Sequence, residues 1–168
     1  MITGVQISAG ALFGVMDSFT VKNIAFVGMV QGNESHGNGV FARTAANITF
    51  ENVYVSVTTT TNSSATSSLI NVCNQKTIMT NVVFDLSQAA VDDAVFGKEN
   101  ANFSANPTYL FTNFCVITNK TGKMLVTGET DGLYVSANTE FFTAVSAMQN
   151  TPFSVENNML YFNGEKLF

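Results

Sequence analysis

At 168 residues the chain is long enough for one domain with its own core. Its residues are 46% hydrophobic and only 11% charged, which excludes a disordered chain and a coiled coil. The net charge of −5 argues against nucleic acid and anionic membrane as partners.

No run reaches the roughly 18 apolar residues of a membrane span. The first residues, MITGVQISAGALFGVMDS, lack a basic segment and carry Asp17, so they do not read as a signal peptide. Polarity comes mainly from Asn, Ser and Thr, a composition common in extracellular β-rich proteins. The expected location is extracellular or cell-surface, with any signal outside these residues. Cys73 and Cys115 read as free, buried thiols.

In chain order, ITGVQIS comes first and reads as the closing strand of a preceding unit, with Val5 and Ile7 facing inward. A short strand follows, ALFG (11–14), and returns as GVFA (39–42), SLIN (68–71) and AVFG (94–97), with anchors Phe13, Phe41, Ile70 and Phe96. After each comes a longer β-forming run interrupted by an asparagine: TVKNIAF, TFENVYV, MTNVVF and FTNFCV. These asparagines are Asn23, Asn52, Asn81 and Asn113, at spacings of 29, 29 and 32. Self-similarity at such a period is the mark of a solenoid.

Taking each Asn as origin, apolar residues fall one and three places after it: Ile24, Val53, Val82, Phe114, then Phe26, Val55, Phe84, Val116. Before it they fall at two and four places: Val21, Phe50, Met79, Phe111, then Phe19, Ile48, Thr77, Tyr109. The buried parity switches at the Asn, and a straight strand cannot switch parity without turning its side chains to the other face. The chain therefore bends there. Asn tolerates the left-handed conformation that a one-residue corner needs. Stacked corners would place the four amides about 4.8 Å apart, each able to bond the next.

Three short strands per turn, about 29 residues per turn and an Asn corner resemble the right-handed parallel β-helix of the pectate-lyase type. The resemblance covers residues 4–126 and implies an all-β solenoid of stacked coils, with 1–126 as the coils. The repeat fades after Val126. TEFFTAVSAMQ reads as a short amphipathic helix and FSVENNMLYFNGEKLF as strands, with Asn163-Gly164 as a hairpin turn. Residues 127–168 are thus the expected C-terminal cap, closing the last open edge. The N-terminal face is expected to be covered by upstream coils or by self-association.

The resemblance directs attention to the loops at one edge. His36 is the only histidine, and Asp92 and Asp93 are adjacent acids in a later loop. Two carboxylates 6.5–9.5 Å apart support inverting hydrolysis, and Glu34 with Asp93 is the nearest such pair. The segment around His36 has a likeness to the Gly-His-Gly stretch of polygalacturonases, but the paired aspartates follow it instead of preceding it. Solvated loop polar groups are the ordinary reading of Glu34, His36, Asp92 and Asp93. Arg43 could hold an acidic sugar, although a surface guanidinium lying over apolar neighbours explains it equally. Sequons occur at Asn33, Asn47, Asn62, Asn102 and Asn119, with Asn47 placed inside a strand.

No zinc, nucleotide or serine-hydrolase motif is present, and no metal or cofactor is expected. The expectation is a non-catalytic β-helix module of a surface or secreted protein, acting in adhesion, as a stalk or in carbohydrate binding. A polysaccharide or host-surface ligand would be its partner. The alternative is a fragment of a polysaccharide lyase or glycoside hydrolase, phage tail-type proteins included.

Overall fold

The computed structural model describes residues 1–7, 13–30, 42–59, 70–73, 76–85, 87, 108–118, 133–136 and 139–167. Within them the chain is built mostly of strands. In order these are β1 (Ile2–Ile7), β2 (Phe13–Asp17), β3 (Thr20–Val30), β4 (Ala42–Ala46), β5 (Ile48–Thr59), β6 (Ile70–Cys73), β7 (Lys76–Asp85), β8 (Thr108–Thr118) and β9 (Leu133–Ser136). The tail adds α1 (Thr139–Ala147), β10 (Phe153–Glu156), β11 (Met159–Phe162) and β12 (Glu165–Lys166). Among the described residues no helix is long and apolar enough to cross a membrane.

Two parallel sheets carry the repeat. The larger has six strands in the order β1-β3-β5-β7-β8-β9, and the smaller has three, β2-β4-β6. Pairing keeps the sequence period. Lys22 faces Glu51 and Ile24 faces Val53, so the same 29-residue offset holds on both sides of Asn23. It holds again between β5 and β7, and becomes 32 between β7 and β8, where Val82 faces Phe114.

Each long strand contains its Asn in the left-handed conformation, with φ of 54° at Asn23, 55° at Asn52 and Asn81, and 51° at Asn113. One such residue turns the chain and changes which face later side chains take. Burial follows. Phe50, Met79, Val53, Val82, Val55, Phe84 and Val116 are all fully buried, as are Ile48 and Thr77. Stacked rings continue the packing, with Phe111 and Phe114 centroids 4.4 Å apart. The outermost members of the same columns are more open: Phe19 is 48% exposed, and Val21, Ile24 and Phe111 are half-buried.

Four readings change. The short strands carry a register that ALFG, GVFA and SLIN do not suggest; residues 11–12, 39–41 and 68–69 of those segments lie outside the described residues. Phe13 and Ile70 both pair with Ala42 and not with Phe41, a one-residue slip in that column. Asn47 is not inside a strand. It is a second left-handed corner (φ 51°) between β4 and β5, and Ser18 (φ 53°) is its counterpart between β2 and β3. The parallel sheet also runs past residue 126, because Leu133–Ser136 adds β9 alongside Cys115–Thr118. AVFG, with Phe96, lies outside the described residues.

The tail is the fourth difference. Helix α1 and the antiparallel sheet β10-β11-β12 pack across the outer face of the six-stranded sheet, where the sequence placed them over its last edge. Phe141, Val145, Phe153, Leu160 and Phe162 meet Ala25, Tyr54, Val83, Cys115 and Ile117 there. The two tail hairpins turn on Asn157-Asn158 (φ 52° and 58°) and Asn163-Gly164 (φ 51° and 80°), pairs whose positive φ suits a two-residue turn.

Candidate functional site

The asparagine corners form one continuous chain of amides. Asn52 Nδ2 donates to Asn23 Oδ1 at 2.9 Å, Asn81 Nδ2 to Asn52 Oδ1 at 2.8 Å, and Asn113 Nδ2 to Asn81 Oδ1 at 2.8 Å. The direction is the same at each step, so the ladder has a donor end and an acceptor end. Its lower rungs also reach the tail: Asn81 Nδ2 donates to the Asn150 carbonyl at 3.1 Å, and Asn113 Nδ2 to the Gln149 carbonyl at 3.0 Å. Only Asn81 is buried, at 7% exposure; Asn52 and Asn113 are half-buried and Asn23 is exposed. Beside the ladder Lys22 Nζ meets Glu51 Oε2 at 2.6 Å, an exposed pair of the kind that contributes little to stability.

A second polar cluster sits between the sheet and the tail. Tyr54 Oη donates to Asp85 Oδ2 at 3.2 Å. The other oxygen, Asp85 Oδ1, accepts from Ser87 N at 3.0 Å and Ser87 Oγ at 2.6 Å. Burial, and then the neighbouring Asp85 charge, hold the Tyr54 phenol well above its ordinary range. Tyr54 is therefore a fixed neutral donor. With 2% of its surface exposed it has no route to a substrate, and the cluster acts as a polar clasp.

Cys115 lies in the same layer, and burial pushes its thiol up from 9.0 to about 12. The unfolded chain releases this proton near pH 9, while the folded chain holds it to about 12. The folded state binds more protons in that window, so this contribution is complete below pH 9 and is lost as pH rises. The expected loss is about 1.4 kcal/mol per pH unit. Urea midpoints measured from pH 8 to 11 should fall less steeply for Cys115→Ala than for the parent chain. Parallel slopes would contradict the assignment.

Of the residues singled out for chemistry, Glu34, His36, Asp92 and Asp93 lie outside the described residues. Arg43 lies within β4, with its side chain outside the description. The same holds for Cys73 in β6. Among the described residues no three His, Cys, Asp or Glu side chains gather as a metal site.

The outer layer was missed in the sequence although a signal for it exists. IAFV, VYV, VVF and FCVI are unbroken apolar runs, and such runs belong to strands covered on both faces. Comparison of the chain with protein-family models, curated proteins and solved structures returned no match.

Proposed function

We propose that the chain is a stacked-repeat module, a right-handed parallel β-helix with three strands per coil of about 29 residues. In this reading it is a non-catalytic scaffold of an extracellular or cell-surface protein, serving adhesion, a stalk or carbohydrate binding. The observation that carries the reading is the ladder Asn23–Asn52–Asn81–Asn113, in which each corner bonds the one before it. Two corner columns per repeat, Ser18 with Asn47 and Asn23 with Asn52, separate three straight runs, which fits a closed coil.

The functional half of the proposal follows from where polar groups go. The ladder amides tie repeats together, the Tyr54–Asp85 clasp lies beneath the tail, and the tail covers the sheet's outer face. The chain leaves the six-stranded sheet at the same end of β3, β5 and β7, where Val30 pairs with Thr59 and Ser56 with Asp85. Connections of different length at one end of a rigid frame suit recognition of an extended ligand such as a polysaccharide.

The isolated chain should release no products from pectin, polygalacturonate or alginate, with or without Ca²⁺, and should retain one or more glycans on an array of host-surface and polymeric sugars. Turnover abolished by Asp93→Asn would replace this reading with a lyase or hydrolase.

A further inference from the structure

The two hairpins of the tail use the same kind of turn. Asn157-Asn158 joins β10 to β11 with φ of 52° and 58°, and Asn163-Gly164 joins β11 to β12 with φ of 51° and 80°. All four residues are exposed. The turns differ in one chemical respect. The peptide nitrogen after Asn157 belongs to a residue with a side chain, whereas the nitrogen after Asn163 belongs to glycine.

Asparagine is one of the thermally labile side chains. Its amide carbon Cγ is an electrophile, and the next residue's backbone nitrogen can close a five-membered ring on it. Three things oppose closure: a side chain that crowds that nitrogen, hydrogen bonds that fix the amide, and strands that hold the backbone. The ladder has all three. Asn23, Asn52, Asn81 and Asn113 precede Ile24, Val53, Val82 and Phe114, their amides bond one another, and each lies between paired positions of a long strand.

At Asn163 each restraint is weak. A side chain built on Gly164 would meet nothing within 4 Å, so the nitrogen is open to approach. The Asn163 side-chain amide has no hydrogen-bond partner among the described residues. Strand β12 is only two residues long. It is held by the pairs Phe162–Glu165 and Tyr161–Lys166, and by the Leu167 N–H donating to the Leu160 carbonyl at 2.8 Å. Exposed backbone bonds at so short an edge open at low cost. The other Asn-Gly pair, Asn38-Gly39, lies outside the described residues.

We propose that Asn163 is a self-modification site, at which the Gly164 nitrogen displaces the side-chain amide and water converts the product to aspartate and isoaspartate. The Gly164 nitrogen loses its proton and bonds to Asn163 Cγ. The Cγ–Nδ2 bond breaks, and the amide nitrogen leaves as ammonia with that proton. Water then opens the cyclic imide. Opening at Cγ gives aspartate on an unchanged backbone. Opening at the main-chain carbonyl gives isoaspartate, in which the chain runs through Cβ and Cγ and is one atom longer. The balance is amide plus water to carboxylic acid plus ammonia.

Both products place a carboxylate next to Glu165. Isoaspartate also lengthens a two-residue turn whose length sets the register of the hairpin. Phe162 then no longer faces Glu165, and β12 comes away. Leu167, which packs against the layer between tail and sheet, leaves with it, and Leu160 and Phe162 lose cover on that side. The tail thus carries a slow covalent step that loosens its second hairpin.

The test incubates the full chain at 37 °C and pH 7 or pH 9, then maps it by proteolysis and mass spectrometry, with isoaspartate scored by enzymatic carboxyl methylation. Asn163 should convert at least tenfold faster than Asn157 and the four ladder asparagines. Its conversion should be faster at pH 9, because the attacking nitrogen must shed its proton. Amide exchange at residues 165–167 should accelerate in step with isoaspartate. The variant Asn163→Gly keeps a residue pair that suits the turn. It should show no methylation at this position and constant exchange at 165–167 throughout. Conversion of Asn163 no faster than that of Asn157 overturns the inference. So does isoaspartate at 163 with exchange at 165–167 unchanged, or the same acceleration of exchange in Asn163→Gly.

Discussion

Replacing Asn81 by leucine is expected to destabilise the fold by about 3–5 kcal/mol, more than any other single change in the ladder. Asn81 is the rung with bonds on three sides: it donates to Asn52 Oδ1 and to the Asn150 carbonyl, and it accepts from Asn113. Leucine removes all three and leaves acceptors and a donor in a site where Asn81 itself is 7% exposed. A buried group left without a partner costs about 1–3 kcal/mol. Leucine must also adopt φ near 55°, where a side chain with a Cβ is disfavoured by about 1–2 kcal/mol.

Glycine separates the two contributions. Asn81→Gly accepts the φ freely and loses only the amide bonds, so its effect should be smaller than that of leucine by the backbone term. The same substitution at Asn52, which has two ladder bonds and is half-buried, should cost about 1–3 kcal/mol. Equilibrium urea unfolding of the three variants gives the order. Equal effects at Asn81 and Asn52, or a change below about 0.5 kcal/mol at Asn81, would mean that the ladder does not hold the repeats together.

The second large effect is expected at Phe141. This ring is 1% exposed in the layer between helix α1 and the sheet, and it lies 5.2 Å from the Phe142 ring in an edge contact. Phe141→Ala should cost about 3–5 kcal/mol by loss of burial and formation of a cavity. The loss is expected first in the attachment of the tail, since the ring belongs to the layer that joins tail and sheet and not to the repeat interior.

Cys115 reports this directly. It is fully buried in the same layer, and its raised pKa keeps the thiolate scarce at neutral pH. In a Cys73→Ser background, thiol labelling of Cys115 should be slow in the parent and faster by at least tenfold in Phe141→Ala. Urea unfolding followed by near-ultraviolet and far-ultraviolet signals should then show the tail transition ahead of the sheet. Unchanged labelling with a stability loss under 1 kcal/mol would show that the tail does not depend on this ring.

The repeat and one of its two corner columns were legible in the sequence because they rest on local rules. Side-chain alternation in a strand has a period of two, and only a residue that tolerates positive φ can reverse it in one step. Asn23, Asn52, Asn81 and Asn113 satisfied both conditions at nearly constant spacing, so the columns of buried Val, Phe and Met followed without knowledge of any distant contact. The hairpin at Asn163-Gly164 and helix α1 were legible for the same reason: turn chemistry in one case and the apolar spacing of Phe141 and Val145 in the other.

The placement of the tail was decided only by tertiary packing. Phe141, Val145, Phe153 and Leu160 announce apolar surface in need of cover, but the hydrophobic effect is non-directional and does not say which surface supplies it. The last edge of the six-stranded sheet and the face bearing Ala25, Tyr54, Val83 and Cys115 were both candidates. The sheet face prevails because it offers an apolar layer across several strands, and because the carbonyls of Gln149 and Asn150 meet the free amide hydrogens of Asn113 and Asn81 on the way. That match joins residues 69 and 36 positions apart. The Tyr54–Asp85 bond, 31 positions apart, belongs to the same category. The last depends on the offset between β5 and β7, and the first two on where the bend after α1 comes to lie, and no local pattern in either segment contains these.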